Sequence, residues 1–262
     1  MEKLTEEVFW EAYWDGLRLP VKPNLRFSND RAIASVLLRH LRRDSLKEAF
    51  EVGCAPGKWL VFLHEQFNFM VSGCEYLPAA AEATMKNLEM TGTPYCEILC
   101  QDALTMVSTK KYDVVISLGF IEHFTDPAHI IKKHVDLLKP GGILIIGVPN
   151  FRGIGHFFQS RIDKRLVRDK ILPSHNLSVM RKQFFSAMVS QLQMKRIFLG
   201  YVGGFDRALF KSQLLGIGGR ITFRLTNAIF GNALAKKVSM GFYSSYLIGV
   251  FRSQNSGVPD EP

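Results

Sequence analysis

Between about residue 48 and residue 148, short apolar runs alternate with segments whose apolar residues recur every three or four positions. The runs are AFEV (49–52), FMVSGCE (69–75), YCEILCQ (95–101), YDVVISL (112–118) and GILIIGV (142–148). Between them lie KWLVFLHEQF, PAAAEATMKNLEM and DPAHIIKKHVDLL, each with the spacing of one helix face. Runs that are apolar on both faces have no side to give to water, so they predict parallel strands covered by helices above and below. Right-handed crossovers then bring the strands' carboxyl ends to one edge of the sheet, where ligands of such sheets bind near the switch in strand order.

After Pro149 the pattern loosens. It predicts a helix over SVMRKQFFSAMVSQL and two more strands, KRIFLGYV (195–202) and SSYLIGVFR (244–252). The expectation is an α/β fold, a seven-stranded and mostly parallel sheet with helices on both faces, formed by residues 48–204 and 241–252. Residues 205–240 are far longer than a hairpin connection needs, and they predict an inserted helical cap. Residues 1–47 predict an N-terminal helical segment, and 253–262 a disordered tail. Phe9, Trp10, Tyr13 and Trp14 fall on one early helix, which either packs on the core or serves as a lid over a ligand.

With 262 residues, 47% of them hydrophobic, the chain can bury one substantial core. Its four cysteines, Cys54, Cys74, Cys96 and Cys100, show no Cys-x-x-Cys spacing and no nearby His-x-x-x-His, so neither a metal site nor a disulfide framework is expected. There is no apolar run of signal-peptide length at the start and no stretch of eighteen apolar residues, which predicts a cytoplasmic protein without a membrane-spanning helix. The net charge of +9 is uneven. Residues 1–150 carry 16 Lys and Arg against 19 Asp and Glu, a net of −3, whereas 151–262 carry 17 against 5, a net of +12. No acid falls between Arg207 and Pro259. The 205–240 segment is then either a substrate lid with a solvated basic face or a peripheral contact with an anionic membrane.

The stretch EVGCAPGKW (51–59) holds the candidate chemistry. A phosphate-binding Walker loop needs four residues between its glycines and a hydroxyl after its lysine; here three separate Gly53 from Gly57, and Trp59 follows Lys58. A nicotinamide loop would need glycines at 53, 55 and 58, where the chain has Gly53, Ala55 and Lys58. What remains is an acid ending a strand, Gly-x-x-x-Gly, then a helix. Glu75 ends the next strand about twenty residues on, where a carboxylate can accept from both hydroxyls of a ribose.

With Asp102 after the third strand, YDVVISLGFIEHF and LLKPGGILIIGVPN, this order resembles the class I S-adenosylmethionine-dependent methyltransferases. The first motif of that family is Asp/Glu-x-Gly-x-Gly-x-Gly, and this chain departs from it at Ala55 and Pro56. The resemblance implies a Rossmann-like core with S-adenosylmethionine as cofactor, held by Glu51, Gly53, Cys54, Gly57, Glu75, Tyr76, Asp102, Ala103 and Ser117. Asp102 would meet the adenine amino group, and the loop after YDVVISL would face the methionine moiety. His123 lies in that loop and is the candidate base, with His156 and His175 as rivals. PNFRGIGHFF and SHNLSVM resemble the acceptor-pocket wall of ubiquinone-type and natural-product O-methyltransferases, which implies a small-molecule acceptor. The alternatives are an RNA methyltransferase, suggested by the charge, or a non-catalytic scaffold. Neither an Asn/Asp-Pro-Pro-Tyr sequence nor a cysteine nucleophile stands after the fourth strand, so nucleic acid is the poorer fit. Nothing in the sequence fixes the oligomeric state.

Overall fold

The computed structural model describes residues 2–14, 16–153, 172–204 and 241–254. Both the 205–240 insertion and the predicted tail from Asn255 onward lie outside these residues, as does His156.

In chain order the elements are α1 (Glu7–Trp14), α2 (Ser28–His40), β1 (Glu48–Val52), α3 (Lys58–Phe67), β2 (Met70–Glu75), α4 (Pro78–Met90), β3 (Tyr95–Cys100), β4 (Tyr112–Leu118), α5 (Pro127–Asp136), β5 (Leu138–Pro149), α6 (Lys182–Gln191), β6 (Met194–Val202) and β7 (Tyr246–Ser253). The strands form one seven-stranded sheet in the order β3-β2-β1-β4-β5-β7-β6. Pairings from β3 through β5 are parallel, and β7 runs antiparallel between β5 and β6. Strand order reverses between β1 and β4, so the crevice expected of such a sheet opens where those two strands end.

Alternation along each strand splits the core in two. Ala49, Val114, Ile116 and Ile145 face the side covered by α2 and α3, where Leu37, Leu60, Leu63 and Phe67 pack. Phe50, Val115, Leu144 and Ile146 face the other side, against Ile130 and Ile131 of α5 and Phe185 of α6. That is the double burial that the apolar runs predict. Helix starts follow local chemistry. Pro78 and Pro127 occupy first-turn positions that need no amide donor, and the Asp126 side chain accepts from the His129 amide at 3.2 Å.

Strand β5 begins earlier than its apolar run, because Lys139 to Gly142 form an irregularity within it. Tyr112 pairs with Leu138, yet Val114 pairs with Ile143. Gly141 has φ +72, and a Cβ on Gly142 would lie 2.9 Å from the Lys139 carbonyl oxygen. The Lys-Pro-Gly-Gly stretch thus shapes the amino end of β5, opposite the ligand edge. Among the described residues, no helix is long and apolar enough to cross a membrane.

Candidate functional site

Strand β1 carries Glu51 into the interior, and the chain then turns through Gly53 to Gly57. Gly53 has φ +69, and a Cβ built there would stand 2.5 Å from Cδ2 of Phe120, so both conformation and space call for glycine. Gly57, at φ +83, starts α3. The amides of Gly53 and Cys54 both donate to the Cys74 carbonyl, at 3.0 and 3.1 Å, which ties the turn to the end of β2. Cys54 is buried against Gly73, where a Cβ would meet its Sγ at 2.8 Å, and burial pushes its thiol well up. Its side chain is packing, and only its backbone borders the turn. Lys58 is drawn aside to Asp30 of α2 at 2.9 Å.

Three carboxylates stand along this edge. Glu51 is fully buried; burial raises its pKa well above the ordinary value, against the pull of Lys58 and the Leu60 amide. Among the described residues its Oε2 has no hydrogen-bond partner. Glu75 accepts through Oε1 from the amides of Tyr76 at 2.9 Å and Leu77 at 3.2 Å, and burial raises its pKa against those bonds. Asp102 accepts through Oδ1 from the Leu104 amide at 2.9 Å, while its carbonyl takes the amides of Thr105 and Met106. Ala103 rides on that turn. Ser117 lies buried near the end of β4, and neither its Oγ nor the Tyr76 hydroxyl has a partner among the described residues. A cavity of about 230 Å³ between the loop after β3 and α5 meets this edge at Val52 and Ala103.

The edge is occupied by the protein's own side chains. Residues 2–5 run across it: Leu4 donates its amide to the His123 carbonyl at 2.8 Å, and Lys3 bridges to Phe124. This strap lays the Lys3 ammonium 2.6 Å from Asp102 Oδ2 and 4.1 Å from the centre of the Tyr76 ring. Phe120 covers Gly53. A ligand reaching Asp102 must displace Lys3, and a partly exposed pair of this kind contributes at most about 1 kcal/mol. Lys3→Met is therefore expected to tighten cofactor binding by up to about fivefold at low salt. Calorimetry at two ionic strengths checks this; affinity unchanged at both would mean that the strap lifts without competing.

Beyond β4 the chain makes a 3-10 turn, Ile121–His123, with Glu122 and His123 both buried. His123 Nδ1 lies 2.7 Å from the Ser174 carbonyl oxygen. A carbonyl only accepts, so Nδ1 carries the hydrogen and Nε2 the lone pair. The Trp10 ring stands edge-on over His123 at 4.8 Å between centroids, and the His175 ring lies at 4.5 Å. The early aromatic helix thus rests on the loop after β4. Burial, then His175, lowers the His123 pKa to about 3, and burial raises that of Glu122 to about 8.

Gly53, Glu75, Asp102 and His123 therefore share the carboxyl edge, as their order along the chain predicts. Lys3 and Phe120 carry no sequence signal for this site. His175 stands 52 residues from His123, and only the fold brings the two together.

A parallel sheet that presents a glycine turn and acidic groups to a cationic nucleoside is the architecture of the class I methyltransferases, whose methyl donor is S-adenosylmethionine. The chain belongs to that group: the model of the methyltransferase-domain family matches residues 26–192, well over half of its length. Among curated proteins, the trans-aconitate 2-methyltransferase of Methylobacterium radiotolerans is 25% identical over 127 residues, covering 48% of this chain and 47% of that protein. The ubiquinone biosynthesis O-methyltransferase of Histophilus somni is 25% identical over 149 residues, covering 53% and 59%. The chain spans about half the length of the curated relatives it matches. The plantazolicin methyltransferase BamL superposes with a TM-score of 0.53 at 18% identity, covering 85% of this chain and 82% of that one, a likeness of fold.

Proposed function

We propose that the protein transfers the methyl group of S-adenosylmethionine to a small-molecule acceptor, at oxygen. The observation that carries this reading is the placement of Glu51, Glu75 and Asp102 at the ends of three neighbouring strands around the Gly53 turn. Glu75 suits the ribose hydroxyls, Asp102 the adenine amino group, and Glu51 lends negative charge near the cationic end of the cofactor. The sulfonium already makes the methyl group electrophilic, so the protein's task is to hold an acceptor lone pair in line with the carbon–sulfur bond. Such positioning supplies roughly 7–11 kcal/mol in well-placed systems.

A small acceptor is favoured because α1 and the strap roof the loop after β4, which leaves that loop poorly open to a folded RNA. The names of the two curated relatives, one acting on trans-aconitate and one in ubiquinone biosynthesis, point the same way. His123 carries its lone pair on Nε2, which stands 3.9 Å from Glu122 Oε1. With a pKa of about 3 it takes a proton poorly, so its part is better read as holding than as proton transfer.

Glu75→Ala and Asp102→Ala are each expected to weaken cofactor binding by about 1.5–3 kcal/mol, roughly tenfold to a hundredfold, as read by titration calorimetry. Wild-type affinity in both variants would remove these carboxylates from the site. Incubation with radiolabelled cofactor and separate metabolite, lipid and RNA pools tests the acceptor. Label confined to the RNA pool would overturn the small-molecule reading.

A further inference from the structure

The cluster formed by Glu122, His123 and His175 is more than the methyl-transfer reading uses. One ligand atom from each residue falls within 4.8 Å of the others, and Glu122 Oε1 stands 3.9 Å from His123 Nε2. Both rings are anchored by one residue: His123 Nδ1 at the Ser174 carbonyl, 2.7 Å, and His175 Nδ1 at the Ser174 hydroxyl, 2.8 Å. Holding one ring nitrogen by a hydrogen bond so that the imidazole faces a fixed point is how ligating histidines are oriented. Independently of the rings, Glu122 is 1% exposed, and its Oε2 has no partner among the described residues. A buried carboxyl oxygen left without a hydrogen-bond partner is costly, and a cation is a partner that would relieve the cost.

From this convergence we propose that Glu122, His123 and His175 form a binding site for a first-row divalent cation of the Zn²⁺ or Mn²⁺ class. Two imidazoles and one carboxylate suit such ions, and three protein ligands leave coordination positions open. His123 offers Nε2, Glu122 its carboxylate and His175 a ring nitrogen. The site lies past the end of β4, on the edge where the cofactor is placed. An ion there would hold and polarise an acceptor oxygen, a role that rests on the methyl-transfer reading; the binding of the ion does not. Cysteine spacing and paired histidines give no hint of the site, because its members come from two loops joined through Ser174.

The test uses the full chain, purified without a histidine tag and stripped of metal by a chelator. Zn²⁺ and Mn²⁺ are titrated separately by calorimetry, and S-adenosylhomocysteine binding is measured alongside. The expected result is one equivalent of at least one ion, weakened about tenfold or more in Glu122→Gln and in His175→Ala while S-adenosylhomocysteine affinity is kept. No binding to the wild-type protein, or binding that persists in both variants, overturns the proposal. X-ray absorption of the Zn²⁺-loaded wild type reads the ligands without any substitution. A shell with imidazole and carboxylate supports the site, whereas sulfur ligation places the ion at a cysteine and overturns it.

Discussion

Gly53→Ala is expected to destabilise the protein by about 2–4 kcal/mol and to abolish measurable cofactor binding. Two effects combine at this position. The backbone holds φ +69, which an L side chain adopts at a cost of about 1 kcal/mol. The added carbon would also stand 2.5 Å from the Phe120 ring, so either the turn or the loop after β4 must move. Moving the turn breaks the two amide bonds to the Cys74 carbonyl that set the loop against β2. Gly92 provides the comparison, since its φ is +66 but nothing lies within 4 Å of a Cβ built there. Gly92→Ala should show the backbone cost alone and bind cofactor like the wild type. Denaturant unfolding and calorimetry on both variants measure the difference, and equal behaviour of the two would show that Phe120 yields without consequence.

The core was legible because its strands are buried on both faces. Runs such as YDVVISL and AFEV leave few other structures open, and β4 matches its predicted ends while β1 gains only Glu48. Prolines and the Gly57 turn mark helix starts from local chemistry alone, so α3 and α4 fall where their spacing puts them. The amino end of β5 was not legible, since the apolar run begins only at Gly142 while the irregular strand takes in Leu138 to Gly141 before it. Antiparallel β7 is likewise a matter of where a long connection returns, which no local pattern records. In the site, the acids could be read from their register behind successive strands. Lys3 could not, because a strap's path over the sheet edge depends on contacts such as Leu4 with His123 that have no periodicity. The Glu122, His123 and His175 cluster shares the problem: two members are adjacent, and the third arrives from a distant loop.

The edge is acidic, and the net of −3 for residues 1–150 agrees with its use for a cationic ligand. Lys3 supplies positive charge at Asp102. Glu51 has no ion pair among the described residues; Lys58 pulls on it but is paired with Asp30. That difference makes Glu51 the group whose ionisation should follow the cofactor most closely.

Glu51→Gln is accordingly expected to stabilise the protein at alkaline pH and to weaken cofactor binding in the same molecule. Burial raises the folded pKa of Glu51 well above the 4.5 of an unburied glutamate, so the folded chain keeps a proton that the unfolded chain releases. Its contribution is intact below the unfolded value and is lost as pH rises toward the folded one. Glutamine removes that loss, so the unfolding midpoints of the two proteins should be close near about pH 5 and should separate in the variant's favour by about pH 8. A cofactor that brings positive charge to this edge favours the ionised carboxylate. Wild-type binding should therefore release a fraction of a proton, seen as a heat that changes with the ionisation enthalpy of the buffer, and should tighten with rising pH. In Glu51→Gln the affinity should fall about tenfold, in line with the loss of a charged partner. The proton release should shrink without vanishing, because Glu75 also titrates above its ordinary range. A variant that binds with wild-type affinity and releases as many protons as the wild type would place the cofactor's positive charge away from Glu51.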